Sequence, residues 1–505
     1  MKDDTPDRPQ AKLFDAARSM ASGIAWAVLM RWAIRFIGLF SALILARLLS
    51  PDDFGVAAMG MLVMNFLFEL SQFGMAMNLI RRKEIDREHC DTAWTMAVIQ
   101  GISTSVLLVI CAYPVSLYFS EPRVIPVMYF LAVASLLEGL ESIGPILLRR
   151  ELRFSADFRF NVWKKVVSFV ATITAALILR NYWALVIGIV ADKIAGVVIS
   201  YLVHPYRPRF SLTHYKEYLN FGASIIPLRA ANTMLGMIGQ FMVGGTSNAS
   251  TLGSYRLAGE ISRMFTSEIV IPMGRGLLPN YARLADRPDE LSAMYRKVLA
   301  GIAFFCIPIG VGVSAVAPDL TLVLLGPQWA SAASLMQYLA IGAAVFAITQ
   351  AMVNQILVAT GREKSAAVLA WVRLLITAPV LWVGLQYGGI IGLAQATIVA
   401  PLIYLPLIYM ETRRAVALPV FALVEILWRP LIASVVMYAA VLALPTGMLD
   451  YALVRLIADA LFGVIVFTAV VFLLWRFSGS PDGAEQITLS AIRQVVDKVL
   501  KKRQA

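Results

Sequence analysis

Charged side chains interrupt the long apolar segments of this chain at helical spacing. Arg31 and Arg35 are four positions apart. Arg256, Glu260 and Arg263 follow one another at intervals of four and three. Residues spaced in this way share one face of a helix. Because a guanidinium presents a planar fork of N–H donors that binds phosphate oxygens in pairs, both sets predict anion binding.

Further ionisable residues lie inside the apolar segments, where they are costly unless they face a cavity or one another. The basic set comprises Arg31, Arg35, Lys164, Lys165, Lys193, Arg229, Arg256, Arg263 and Arg373. The acidic set, which is smaller, comprises Glu69, Glu138, Glu141, Asp192, Glu260 and Glu268. The apolar segments therefore contain more basic than acidic residues.

Two interpretations of these charges stay open. In the first, the arginines line a cavity and bind an anionic substrate; the candidates are Arg31, Arg35, Arg256, Arg263, Arg229 and Arg373. Glu69, Glu260 and Asp192 are the candidate supporting acids. In the second, the charges only join helices by pairing, and Arg31, Arg35 and Arg256 pair with Glu69 or Glu260.

The remaining charges favour structural roles. Lys164 and Lys165 lie close to a predicted helix end, from which their ammonium groups can reach the interface. Asp192 and Lys193 are adjacent, so they cannot share a helix face, and we expect one of them to pair with another helix. Glu138 and Glu141 could be partners of the lysines.

Composition identifies the class of protein. The chain has 505 residues, of which 59% are hydrophobic and only 15% charged. Several apolar runs exceed the roughly 20 residues that cross a bilayer, so we expect an integral membrane protein with many spans. Its polar start has no cleavable signal peptide, and the first helix itself would direct insertion. Three cysteines and three histidines without paired spacing argue against a disulfide framework, a metal site or a cofactor.

The apolar pattern predicts an all-α fold of fourteen transmembrane helices. They lie at roughly 20–48, 54–80, 91–119, 123–148, 159–180, 182–203, 218–245, 252–272, 297–318, 331–358, 365–386, 389–411, 420–444 and 451–476. Alternate connections are rich in Lys and Arg, which places both termini in the cytoplasm. The net charge of +12 thus marks cytoplasmic loops rather than a nucleic-acid surface.

Short sequence matches recur about 200 residues apart. Phe54-Gly55 matches Leu252-Gly253, and three further matches keep the same order. They indicate two parallel six-helix repeats, related by an axis along the membrane normal, around a central cavity. The predicted organisation is a cytoplasmic segment (1–19), an N-lobe (20–210), a C-lobe (211–415), two extra helices (416–476) and a cytoplasmic amphipathic tail (477–505).

Four segments resemble the bacterial polysaccharide transporter family, which contains O-antigen and exopolysaccharide flippases. They are "ARLLSPDDFGVAA" from Ala46, "FGMAMNLIRRKE" from Phe73, "LLRRELRFSADF" from Leu147 and "STLGSYRLA" from Ser250. The superfamily also holds multidrug/cation antiporters and lipid II flippases. The resemblance implies a bacterial inner-membrane flippase, not an enzyme, that moves an undecaprenyl-pyrophosphate-linked oligosaccharide by alternating access. The arginines would then receive the pyrophosphate.

The resemblance also implies the partners: the lipid-linked oligosaccharide, membrane lipids, and a polysaccharide polymerase and chain-length regulator, with no nucleic acid. Three alternatives stay open. A multidrug/cation antiporter would favour an acidic cavity, whereas this interior leans positive. A lipid II flippase fits the charges equally well. A membrane polymerase or ligase would need a large external loop, which the short predicted connections do not provide.

Overall fold

The computed structural model describes residues 8–72, 74–82, 84–350, 353–416, 418–419, 421–445, 450–480 and 485–486. These residues form helices and connections, with no β-strand among them. Most of the predicted tail at 477–505 lies outside the described residues.

The described chain divides into two compact units. The first comprises residues 1–233 and 244–253, and the second comprises residues 234–243 and 254–505. The first unit contains α1 (Arg8–Leu48), α2 (Pro51–Ser71), α3 (Met75–Arg81), α4 (Arg87–Phe119), α5 (Val124–Gly139), α6 (Gly144–Arg150), α7 (Phe154–Leu179) and α8 (Trp183–Val203). Two helices contribute residues to both units, α9 (Tyr215–Thr246) and α10 (Ala249–Arg283).

The second unit continues with α11 (Pro288–Ala315), α12 (Ala317–Leu324), α13 (Ala330–Gln350), α14 (Val353–Ala359), α15 (Glu363–Val416), α16 (Ala422–Ala443) and α17 (Ala452–Phe477). A 3-10 turn at Pro327–Trp329 joins α12 to α13. Within this unit α11 packs against α13 and α16, and α16 packs against α17.

All fourteen predicted ranges lie on helices. Ten of the described helices are long and apolar enough to cross a membrane, and α5 and α6, bent by 49° relative to each other, would make an eleventh span if they cross together. The 54-residue helix α15 holds two predicted spans, separated at Gly389 by a backbone turn with φ 58°. With α9 and α10, this architecture is consistent with fourteen spans.

Several predicted helices are broken. The range 54–80 divides into α2 and α3 because Gly74 adopts the left-handed conformation, with φ 66°, that glycine tolerates. The described residues of the range 331–358 lie on α13 and α14. At the other end of α2, Ser50 and Asp53 form a reciprocal capping box, with Pro51 in the first turn. This cap lets α1 turn into α2 within two residues.

The connections of the first unit sort to two ends. At one end, the Arg150 guanidinium donates hydrogen bonds to the carbonyls of Leu79 and Arg82. At the other end, Arg123 bonds Asp52, with 2.7 Å between Nη1 and Oδ2. The basic connections after α3 and α6 thus share one end, and the turns after α1 and α4 share the other, as the alternation of charge predicts. That the basic end is cytoplasmic stays a prediction.

Candidate functional site

The first unit contains an ion pair beside a cavity. Glu69 on α2 and Arg229 on α9, both candidates from the sequence, lie with 3.5 Å between Oε2 and Nη2. Arg229 lines a cavity of about 480 Å³ together with Gln72, Gln100 and Glu138. Both members of the pair are about one-third exposed. Arg229 therefore remains accessible to an anion, while Glu69 balances its charge.

Lys164 on α7 and Lys193 on α8 form a second charged cluster with acids of α5, α8 and the connection after α5. The sequence suggests Glu138 and Glu141 as partners of the lysines, whereas it places Lys164 close to the interface. Lys164 Nζ lies 3.1 Å from Glu141 Oε2 and 3.7 Å from Asp192 Oδ2. Lys193 Nζ lies 2.7 Å from Glu138 Oε1. The adjacent Asp192 and Lys193 therefore reach different helices. In this arrangement Asp192 supports a lysine.

Gly196 makes room for this cluster. A Cβ at Gly196 would lie 2.6 Å from Glu141 Oε2 and 2.9 Å from Lys164 Nζ. A side chain at Gly196 would therefore displace the ends of the Glu141 and Lys164 side chains.

Arg31 and Arg35 lie on α1, which packs against α7 in the first unit. Both side chains are half-buried. Arg256 and Glu260 lie one turn apart on α10, in the second unit, with Arg256 half-buried and Glu260 exposed. The opposite charges stabilise each other at this spacing. That Arg31, Arg35 and Arg256 face a common cavity stays a prediction.

The second unit contains a polar cavity of about 280 Å³. Residues of α9, α10, α13 and α15 line it, among them the candidate Arg263. Its other polar lining residues are Gln240, Tyr255, Thr377, Thr397 and Tyr404. The last candidate, Arg373, is fully buried, and its guanidinium carbon lies 5.9 Å from the ring centre of Tyr404. A cation over an aromatic face is stabilised, so Arg373 adds positive charge behind the cavity wall.

A comparison with models of known protein families identifies the family of this chain. A family model described as "Polysaccharide biosynthesis protein" matches residues 44–334, more than half of the sequence. The chain belongs to this family. The match extends from the end of α1 into α13, and so includes Glu69, Arg229, Asp192, Arg256, Glu260 and Arg263.

Two relatives of this polysaccharide biosynthesis protein have names that also refer to the biosynthesis of polysaccharides. The lipopolysaccharide biosynthesis protein WzxC of Escherichia coli (strain K12) is 22% identical over 390 residues, covering 76% of this chain and 78% of WzxC. The succinoglycan biosynthesis transport protein ExoT of Rhizobium meliloti (strain 1021) is 23% identical over 477 residues, covering 91% of this chain and 94% of ExoT. Both alignments cover most of the two chains that they compare.

The fold matches a solved flippase structure. The lipid II flippase MurJ, in an inward closed conformation, aligns with a TM-score of 0.73 and 12% identity. The alignment covers 90% of this chain and 99% of that one. At this identity the likeness establishes the fold alone.

A second cavity in the second unit is almost wholly apolar. It measures about 600 Å³ and lies among α10, α11, α16 and α17. Phe304, Phe467, Met437 and Val441 line it, and Asp459 is its one acidic lining residue among the described residues. The sequence placed α16 and α17 outside the repeat but did not indicate that they enclose a cavity.

Two of the three histidines lie in contact, although they are far apart in the sequence. His89 and His214 stack with their ring centres 3.7 Å apart, at the first turns of α4 and α9. Asp86 accepts hydrogen bonds from the backbone N–H and the ring of His89, and these bonds hold the pKa of its carboxyl below the ordinary value. Arg82 contacts His89 and Glu217. No pattern in the sequence predicts this cluster.

Proposed function

We propose that the chain is a flippase that translocates undecaprenyl-pyrophosphate-linked oligosaccharide units across the bacterial inner membrane by alternating access. These units supply lipopolysaccharide or exopolysaccharide biosynthesis. The observation that carries the proposal is the cavity with Arg263 and five hydroxyl or amide side chains in a membrane-spanning protein of the polysaccharide biosynthesis family. The names of WzxC and ExoT, one of them a transport protein, support it.

The pyrophosphate is the part of the substrate that an arginine recognises best. A guanidinium binds two phosphate oxygens at once and keeps its charge at any physiological pH. We assign the pyrophosphate to Arg31, Arg35 and Arg256, with Arg229, Arg263 and Arg373 as further cations. Glu69 and Glu260 keep the arginine charges balanced when no substrate is bound, as the pair between Glu69 and Arg229 illustrates. A divided site of this kind can bind the anion and still release it.

The lipid part of the substrate needs a different surface. An undecaprenyl chain is apolar, and the apolar cavity beside α16 and α17 offers matching aromatic and aliphatic walls. We assign part of the lipid to this cavity. The sugar and the lipid would then bind in two different cavities of the second unit.

The remaining features of the proposal are cellular. The protein is a multi-pass membrane protein; we place it in the inner membrane with both termini in the cytoplasm, on the charge of its connections. It performs no bond chemistry of its own. A polysaccharide polymerase and a chain-length regulator would act on the translocated unit.

A reconstituted system tests the proposal. Full-length protein in proteoliposomes, given an undecaprenyl-pyrophosphate-linked oligosaccharide on one leaflet, should render the glycan accessible to a membrane-impermeant lectin on the other. Empty vesicles and vesicles with an unrelated polytopic protein are the controls. If the glycan became accessible to the lectin no faster than in the control vesicles, the proposal would be overturned.

Lipid II transport is a second candidate, and the likeness to the MurJ fold favours it. Lipid II shares the undecaprenyl pyrophosphate and differs in its head group. Movement of lipid II, but not of lipid-linked oligosaccharide, in the same vesicles would select this function. Efflux of an organic cation against a proton gradient would instead select the antiporter, and glycan elongation would select the polymerase.

A further inference from the structure

The polar cavity in the second unit has the chemistry of a sugar site. We infer that it binds one sugar ring of the translocated glycan, which deepens the proposed function and rests on it. The cavity of about 280 Å³ is near the lower end of the range for small-molecule pockets, so it suits one ring rather than a whole oligosaccharide.

A buried hydroxyl in the wall is the decisive feature. Thr377 on α15 is 8% exposed, lines the cavity, and its Oγ1 has no hydrogen-bond partner among the described residues. Leaving such a group without a partner costs free energy. A ligand hydroxyl in the cavity can both donate to and accept from Thr377, and so removes that cost.

Other lining residues suit the two kinds of surface that a sugar ring presents. Gln240 and Thr397 offer an amide and a hydroxyl for ring hydroxyls. Tyr255, Phe346 and Tyr404 offer aromatic surface for the C–H faces of the ring. The lining thus combines apolar walls with a few polar groups that fix orientation.

The charge of the cavity argues against an organic cation as its ligand. No acidic residue of the described chain lines the cavity, so an organic cation finds no counter-charge there. Arg263 is the one basic lining residue among the described residues, and it is exposed. Its guanidinium suits an acidic substituent of the ring, or a phosphate beside the ring.

Glycines in the lining allow close packing at two positions and border the open volume at a third. A Cβ at Gly239 would lie 2.6 Å from the hydroxyl of Tyr255, and a Cβ at Gly342 would lie 2.4 Å from Thr397 Oγ1. A Cβ at Gly236 would meet nothing within 4 Å, because this position borders the open volume. A side chain at Gly236 can therefore fill the cavity without disturbing the packing around it.

Binding measurements on the full-length protein in nanodiscs test the site. The probes are undecaprenyl pyrophosphate without sugar and the same lipid bearing one glucose, galactose or glucuronic acid. The variants are Thr377→Val, which removes only the hydroxyl, and Gly236→Leu, which fills the cavity at a helical position that favours leucine. The matched control is Thr172→Val in the first unit, where the hydroxyl donates to the Ser168 carbonyl at 2.6 Å.

The wild-type protein should bind at least one sugar-bearing lipid more tightly than the sugar-free lipid. Thr377→Val should weaken only the sugar-bearing lipid, by roughly fivefold, as expected for one neutral hydrogen bond. Gly236→Leu should abolish the preference, and Thr172→Val should preserve it.

A wild-type protein that binds the sugar-free and all sugar-bearing lipids equally overturns the sugar site but not the flippase proposal. Equal weakening of all lipids, or a full preference in both variants, also overturns the site. Failure of the wild-type protein to bind any of the four lipids overturns the proposed function itself.

Discussion

Gly55, in the first turn of α2, lies so close to Ala249 that a Cβ at Gly55 would fall 1.7 Å from the Ala249 carbonyl oxygen. The reverse contact also exists, because a Cβ at Gly253 would fall 2.0 Å from the carbonyl oxygen of Pro51. Gly55 and Gly253 are the positions that the sequence repeat matches, and Pro51 and Ala249 lie four residues before each of them. The contact is therefore reciprocal, as in an interface with two-fold symmetry.

This reciprocity supports the parallel repeat at the level of two turns. All four residues belong to the first compact unit. Superposition of residues 15–210 on residues 215–415 about an axis along the membrane normal stays the wider prediction.

We predict that Gly55→Ala and Gly253→Ala each destabilise the protein. The added Cβ meets a backbone carbonyl, which cannot rotate away, and overpacking of this kind costs about 1–3 kcal/mol. Gly38→Ala is the matched control, because a Cβ at Gly38 on α1 meets nothing within 4 Å. Thermal unfolding in detergent measures the difference. Variants of Gly55 and Gly253 that unfold at the same temperature as Gly38→Ala would show that the turns are not in close contact.

Arg35→Ala and Arg256→Ala should each lower transport of the lipid-linked oligosaccharide at least roughly tenfold, because a charged hydrogen-bonding partner of the pyrophosphate is lost. Lysine at either position should retain part of the activity, since the charge survives and the planar fork does not. Arg287→Ala, at an exposed arginine of the second unit, is the control. Normal transport by both alanine variants, with normal accumulation in the membrane, would remove these arginines from the mechanism.

The sequence predicted the helices well because their apolar runs are long and the membrane requires internally hydrogen-bonded segments. It missed the break near Gly74, since a local change of backbone conformation leaves the apolar pattern unchanged. The sequence identified Glu69 and Arg229 as candidates, but their pairing depends on how α2 and α9 pack. Thr377 carried no signal, because an unpartnered hydroxyl is visible only once its surroundings are known.

The cluster of Lys164, Glu141 and Asp192 should stabilise the first unit rather than bind substrate. Glu141→Ala would leave a largely buried ammonium group with only the longer contact to Asp192, at a cost of roughly 3 kcal/mol. The triple variant Lys164→Met, Glu141→Leu, Asp192→Asn should be closer to the wild-type protein, because it removes the three charges of the cluster together. Denaturation in mixed micelles compares the three proteins.

The control for this cluster is Glu290→Ala, which removes the exposed partner of Arg287 and should cost less than about 1 kcal/mol. A loss at Glu141 no larger than the loss at Glu290 would refute a structural role for the cluster.

Reporter fusions should confirm which end of the first unit is cytoplasmic. Fusions after Arg82, Arg150 and Lys216 should be cytoplasmic, as should a fusion after Arg414 in the second unit. Fusions after Asp52, Glu121 and Asn248 should be periplasmic. Alkaline phosphatase and green fluorescent protein report the two compartments. A periplasmic signal after Arg150 together with a cytoplasmic signal after Arg82 would contradict both the helix count and the observed hydrogen bonds from Arg150 to the carbonyls of Leu79 and Arg82.

The turn after α4 should make the predicted periplasmic end sensitive to acid. Hydrogen bonds from the Arg123 guanidinium hold the pKa of the Glu121 carboxyl below its ordinary value of 4.5. A depressed carboxyl pKa stabilises the folded state above the unfolded value, and this contribution is lost as the pH falls through the lower folded value. Glu121→Gln should therefore be less stable than the wild-type protein above about pH 4.5, and the difference should disappear at lower pH. Unfolding temperatures of both proteins between pH 3 and pH 7, estimated to span this transition, measure the effect.

Arg123→Gln is the control, because without the guanidinium the substitution at Glu121 should have no pH-dependent effect. A difference that persists unchanged at low pH would mean that Glu121 acts through packing and not through its charge.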